Sequence, residues 1–259
     1  MAETQATEAT EARARSRAAL RLDPADTTLE HHHRNIQGGA ARAAVFGVSD
    51  GLVTNVSLIL GVAGARPAAG FVQLAGLAGL ISGAFSMAAG EYISMQAQRE
   101  LLEHELALER RELARHPEGE RRELAHIYVS RGVDRQTAGD LAAEMMRDPD
   151  VALETHAREE LGINPSQLGS PLLAGASSFG SFALGAILPL VPWFFLVKGG
   201  AAIASIVVGA LAAVAIGGAL SVFTGRSWWR SSLRQLAISA GIAALAYGVG
   251  AAVGVSGVT

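Results

Sequence analysis

The sequence predicts an all-α membrane protein with five transmembrane helices and an acidic, cytoplasmic helical module inserted between helices 2 and 3. Three observations predict it. First, only 17 % of the 259 residues are charged, against about 25 % in an ordinary soluble domain. Second, the charge is segregated. Ala43 to Gly90 contains only Asp50 and Arg66, and after Glu160 the charged residues are Lys198, Arg226, Arg230 and Arg234. Arg99 to Glu160 holds ten Arg and sixteen Asp or Glu, so the overall charge of −3 conceals an acidic insert between two apolar blocks. Third, the apolar blocks divide into runs of the length that a helix needs to cross about 30 Å of hydrocarbon, roughly 20 residues.

In chain order, the first run is about 40–65, ended by Arg66-Pro67, and the second is about 69–95. The third, about 171–195, is broken near its end by Pro189 and Pro192. The fourth and fifth are about 200–224 and 233–255. All are rich in Gly, Ala and Ser, as in Gly76 with Gly79, Gly83 with Gly90, and Gly217 with Gly218. Small residues let helices approach closely where lipid supplies no hydrophobic drive. The run count and length exclude buried helices of a soluble core.

The residues between the second and third runs read as helices. Met95 to Arg115 is filled by strong helix formers, so the second helix is expected to leave the membrane and continue to His116-Pro117. A further helix follows Pro117 to Ser130, closed by Gly132. Asp134 caps another that reaches Met146 or Arg147. Asp148-Pro149 opens the last, with Pro at its first position, and Leu161-Gly162 closes it. The expected domains are a disordered tail at 1–35, membrane helices at 36–95, the module at 96–165, and membrane helices at 166–259.

Arg and Lys collect on the cytoplasmic side. Arg34, Arg42, the ten Arg of the module, and Arg226, Arg230 and Arg234 lie on one side, with Trp228 and Trp229 as interfacial anchors. Only Arg66 and Lys198 lie on the other. The amino terminus and the module are therefore expected in the cytoplasm. The polar tail has no apolar segment resembling a secretory signal. Cysteine is absent, which excludes disulfides and thiolate ligation. Arg alternates with Glu, so nothing points to nucleic acid. No phosphate-binding Gly loop, nucleophile elbow or zinc-protease helix occurs, and no enzymatic activity or catalytic cofactor is expected.

Two ionisable residues stand within the spans, Asp50 and Glu91, and charges at membrane depth are functional candidates. Asp50 shares a face with Thr54 and Ser57, and Asn55 lies beside it. Glu91 lies in a stripe with Met87 and Met95. Carboxylate and thioether suit a borderline divalent ion such as Fe²⁺ or Mn²⁺. In the module, Glu105, Glu109, Glu112 and His116 form one helical face. Glu120 and Glu123 are spaced i, i+3, and His156 and Glu160 i, i+4. Stacked like charges repel, and a cation between them reverses that. These groups make the insert a candidate metal-binding module, against the alternative of a solvated Glu/Arg face. His31-His32-His33 reads as part of the flexible tail.

Three stretches resemble the vacuolar iron transporter family, carriers of iron and manganese. They are Phe46-Gly47-Val48-Ser49-Asp50-Gly51-Leu52-Val53-Thr54, Ser86-Met87-Ala88-Ala89-Gly90-Glu91-Tyr92-Ile93-Ser94, and Glu159-Glu160-Leu161-Gly162. The resemblance covers about His31 to Val255. It implies a homodimer that exchanges cytoplasmic Fe²⁺ or Mn²⁺ for protons, with Asp50, Met87 and Glu91 on the translocation path. It implies collection of the ion by Glu109, Glu112, Glu120, Glu123 and Glu160. Plant members have two Met just before the last Glu, where this chain has His156 and Ala157, and imidazole accepts a wider range of divalent ions. The membrane would be the plasma membrane in a bacterium and the vacuolar membrane in a eukaryote. Two competing readings are a membrane-anchored metal sensor or storage protein without transport, and a di-iron oxidase. The oxidase needs paired Glu-x-x-His motifs, and the module offers one, Glu123 to His126.

Overall fold

The computed structural model describes residues 39–162, 164–165, 169–196 and 200–256. The amino-terminal tail, with its expected disorder and its His triplet, and Lys198 lie outside these residues. All regular structure among the described residues is helical. Helix α1 (Gly39–Gly64) ends at a turn in which Arg66 takes a φ of 56° before Pro67. Helix α2 (Ala69–Arg115) runs unbroken for 47 residues, about 70 Å at 1.5 Å per residue. That is about twice the hydrocarbon thickness, so its second half projects beyond any membrane that its first half spans.

Three short helices follow: α3 (Pro117–Ser130) and α5 (Pro149–Glu159) pack against this projection, and α4 (Arg135–Met145) packs on them. Their starts follow from local chemistry. The Asp134 carboxylate accepts from the N–H groups of Gln136 and Thr137 at 3.1 Å, and that of Asp148 from Asp150 at 2.9 Å and Val151 at 3.3 Å. Each cap satisfies donors that a helix leaves orphaned. Gly132 and Gly162 take positive φ at the exits, as expected of residues that must turn the chain out of a helix.

The remaining helices are α6 (Pro171–Leu190), the single turn α7 (Pro192–Phe195), α8 (Gly200–Thr224) and α9 (Trp228–Ser256). The break at Val191 falls between the two prolines, as expected. Ser205 on α8 donates to the Pro189 carbonyl at 2.6 Å, occupying an acceptor at the end of α6. One helix is longer than its apolar run. The helix that carries the fifth apolar run, expected from about Leu233, starts earlier, at Trp228. No Gly or Pro interrupts Trp228 to Leu233, so Arg230 and Arg234 sit on helix and the connecting loop shrinks to Gly225–Ser227. Five helices, α1, α2, α6, α8 and α9, are long and apolar enough to cross a membrane.

Helix α1 is the centre of the bundle and touches α2, α6, α8 and α9. Glycine sets how close they come. A Cβ built on Gly51 would lie 2.1 Å from the Phe182 carbonyl oxygen, and one on Gly185 2.1 Å from that of Val48. On the opposite side, a Cβ on Gly250 of α9 would lie 1.7 Å from the Gly61 carbonyl oxygen. Asn55, fully buried, fastens α1 to α6 by donating to the Ala186 carbonyl at 2.6 Å. Backbone contact of this kind is what small residues contribute inside a bilayer.

Replacing Gly185 by Leu is expected to abolish a monodisperse folded protein, because the obstacle is backbone and overpacking costs about 1–3 kcal/mol even where side chains yield. Gly241→Ala, at a position with nothing within 4 Å, is expected to be tolerated. Size-exclusion profiles and melting temperatures of the two variants check this.

Candidate metal centre

Four acidic residues of the module are paired with an arginine three or four residues away. Glu103 pairs with Arg99, Glu118 with Arg121, Glu144 with Arg147 and Glu154 with Arg158. These exposed pairs form an ordinary solvated face, each worth well under 1 kcal/mol. Glu109, Glu120 and Glu160 differ, because none has an arginine partner among the described residues.

Those three carboxylates converge on one imidazole. Glu109 comes from the projecting part of α2, Glu120 from the first turn of α3, His156 from the last turn of α5, and Glu160 from just past its end. The His156 Nδ1 lies 3.2 Å from Glu109 Oε1, 3.6 Å from Glu160 Oε2 and 3.7 Å from Glu120 Oε2. One ligand-type atom from each of the four side chains lies within 4.8 Å of the others. His156 is fully buried, and Glu109 and Glu120 are 7 % and 9 % exposed, while Glu160 opens to solvent.

The cluster is not satisfied internally. Both imidazole nitrogens and Glu109 Oε1 are buried without a hydrogen-bond partner among the described residues. Glu109 and His156 are near enough to bond but are not aligned to do so. A buried polar group without a partner costs about 1–3 kcal/mol. Three acceptor oxygens and a ring nitrogen pointing at a shared volume are what a divalent cation needs. Removal from water pushes the Glu109 carboxyl up to about 7, and Glu160, Glu120, Glu123 and Glu112 add to the shift. Burial also raises Glu120, with His156 working in the other direction and the neighbouring carboxylates reinforcing the rise. Glu112 and Glu123 are exposed and act on the centre through their charge. Glu105, half-buried one turn before Glu109, and exposed His116 do not enter the four-residue group.

An ion pair absent from the sequence reading braces this arrangement. Arg131, where α3 ends, bonds the Glu159 carboxylate and also the Glu159 carbonyl at 3.2 Å. It ties the end of α3 to the end of α5, beside Glu160. Nothing in local spacing signals it, because the partners lie 28 residues apart.

The other candidates lie in the spans. Asp50 is exposed on the outside of α1 and accepts weakly from the Thr54 hydroxyl at 3.4 Å. Met87 on α2 packs against the core formed by Ala84, Phe182 and Ala186, and Glu91 is half-buried one turn further on. Met95 is buried against Gly169. None of the three path candidates, Asp50, Met87 and Glu91, belongs to the group around His156.

Comparison with known families matches residues 41–251 to the VIT family. The chain belongs to the VIT family. It is 37 % identical over 206 residues to a vacuolar iron transporter of Acanthamoeba castellanii, covering 80 % of this chain and 75 % of that protein. It is 30 % identical over 217 residues to vacuolar iron transporter 1 of Eucalyptus grandis, covering 83 % and 87 %. It is 28 % identical over 232 residues to vacuolar iron transporter 1 of Arabidopsis thaliana, covering 88 % and 93 %. The match takes in both the spans and the helices of the module, so this VIT-family chain carries the centre within the shared region.

The centre makes stability depend on pH. The folded state holds the Glu109 proton more tightly than the unfolded chain, where the carboxyl titrates near 4.5. The stabilisation is complete below that value and is lost as pH rises through about 7. The metal-free protein is therefore expected to melt lower at pH 8 than at pH 6, by the equivalent of about 1 kcal/mol. Mn²⁺ is expected to raise the melting temperature more at pH 8 than at pH 6, because ligation requires deprotonated oxygens. Arg131→Ala is expected to lower Mn²⁺ affinity about tenfold, the usual effect of losing an outer support, as read by calorimetric titration.

Proposed function

We propose that this chain moves Fe²⁺, and also Mn²⁺, out of the cytoplasm in exchange for protons, the module serving as the collector. The observation that carries this reading is the Glu109, Glu120, His156 and Glu160 group, whose Glu109 stands on the same continuous helix that bears Met87 and Glu91 in its membrane half. Relatives that match nearly the whole chain are named vacuolar iron transporters, which supports iron as cargo. The distribution of arginine supports a cytoplasmic module.

In this reading, hydrated metal enters at the open Glu160 side and is drawn in by the surrounding carboxylates, including Glu105, Glu112 and Glu123. Each oxygen that ligates the ion must lose its proton. The ion then passes to Asp50, Met87 and Glu91, whose carboxylates are reloaded by protons from the far side. Asp50 faces outward from a single chain, an expensive position in lipid. Exposed Asp50 on α1 and the exposed Phe71, Leu74, Ile81 and Phe85 of α2 leave surface for a second copy, which supports a homodimer. The donor membrane is the vacuolar one in a eukaryotic cell and the plasma membrane in a bacterial cell.

Imidazole at position 156 gives the collector a nitrogen ligand, which broadens preference toward Zn²⁺ and other later transition ions. His156→Met is expected to weaken Zn²⁺ binding more than Fe²⁺ binding. In proteoliposomes with the far side acidic, Asp50→Asn and Glu91→Gln are each expected to reduce Fe²⁺ and Mn²⁺ flux by about tenfold or more. Glu109→Gln is expected to raise the metal concentration at half-maximal flux instead. Flux that is indifferent to the pH gradient would remove the exchange mechanism. Metal binding without any flux in the intact protein would establish the sensor reading, which the self-contained centre also suits. The oxidase reading has little to stand on, since Glu123 and His126 are both exposed and outside the group.

A further inference from the structure

Three arginines take no part in anything described above. Arg226 lies in the Gly225–Ser227 link, and Arg230 and Arg234 follow on the first two turns of α9. Spacing of i, i+4 and i+8 puts them on one side of the chain. Together with Ser227 and Ser231 they line a cleft of about 390 Å³. None has a carboxylate partner among the described residues, and the sequence contains no acidic residue after Glu160. Three cations held this close without a counter-charge repel one another.

The start of α9 is packed closely on α8 beside the cleft. Ser232 donates to the Val214 carbonyl at 2.9 Å, and a Cβ on Gly217 of α8 would lie 2.5 Å from the Ser232 Cα. Ser231 is 4 % exposed, and its N–H bonds the Ser227 carbonyl at 3.2 Å. The first N–H groups of α9 remain open at the same end, where the helix dipole favours an anion. Trp228 and Trp229 are 64 % and 52 % exposed, and the Arg230 guanidinium lies 5.1 Å from the Trp229 ring centre. Exposed Trp at a span's end sits at the level of lipid headgroups.

We propose that this cleft binds the phosphate of an anionic phospholipid headgroup. Guanidinium groups suit phosphate oxygens in pairs, the serine hydroxyls add donors, and the Trp pair holds the glycerol and upper acyl region. A clustering of arginine that served only to orient the helices would need neither a formed cleft nor a helix start facing it.

The test uses the full-length protein in neutral detergent, with native mass spectrometry and melting temperature read against added lipid. Phosphatidylglycerol is expected to bind and raise the melting temperature, and phosphatidylcholine to do neither. Arg226→Gln, Arg230→Gln and Arg234→Gln are each expected to weaken phosphatidylglycerol about fivefold, and together to abolish the shift. Arg135→Gln, on α4, is expected to keep it whole. An equal response to phosphatidylcholine, or a shift that survives the triple variant, overturns the proposal. Glycerol 3-phosphate is expected to produce no shift at the same concentration, and an equal shift would reassign the cleft to a soluble phosphate. Should the triple variant not fold, the single variants decide, and unchanged binding in all three overturns the proposal.

Discussion

Carboxylates withdrawn from water and left without a counter-charge repel one another and resist ionisation, and around His156 three of them share one small volume. Burial and mutual repulsion hold the Glu109 carboxyl near 7. The assembly becomes favourable when a cation enters and each oxygen gives up its proton. In the proposed reading charge, pH and metal are thereby coupled in one place, which the docking of α3 and α5 on α2 holds together. Exposed Glu/Arg pairs elsewhere on the same helices contribute solubility and little else.

The centre is only as useful as its connection to the membrane. Helix α2 supplies that connection by carrying Glu109 and the pair Met87 and Glu91 on one unbroken rod. A rod transmits position only if its foot is fixed. The foot is held by α1 and α6, which meet backbone to backbone at Gly51 and Gly185, with Asn55 bonded across the contact. The Gln73 side chain adds a second tie, donating to the Trp193 carbonyl at 2.6 Å. Close backbone packing below and a cluster of converging carboxylates above divide the chain into a scaffold and a candidate metal centre.

The end of the bundle where α8 turns into α9 poses a different electrostatic problem. Arg226, Arg230 and Arg234 repel one another there, and no acidic residue follows Glu160 in the sequence. An acidic centre awaiting a cation and a basic cleft awaiting an anion thus sit on one chain, each incomplete without something from outside the protein.

Much of this was determined by the sequence alone, because the relevant physics is local. Run length, Pro189 and Pro192, and caps at Asp134 and Asp148 depend on neighbours within a few residues, and the helices begin and end close to where those signals stand. The extension of α9 back to Trp228 was less legible, since polar residues that form helix well resemble a loop when they follow a span. The candidate carboxylates were legible as a set, yet the choice among them was not. Glu105, Glu109 and Glu112 share a stripe on one helix, and spacing treats them alike. Only the docking of α3 and α5 against α2 buries Glu109 and leaves Glu112 in water. Only the same docking brings His156 to Glu109 and Arg131 to Glu159, because those contacts join residues far apart in the chain. Local propensity and hydropathy wrote the helices, whereas desolvation, which exists only once helices pack, decided which acids became a site.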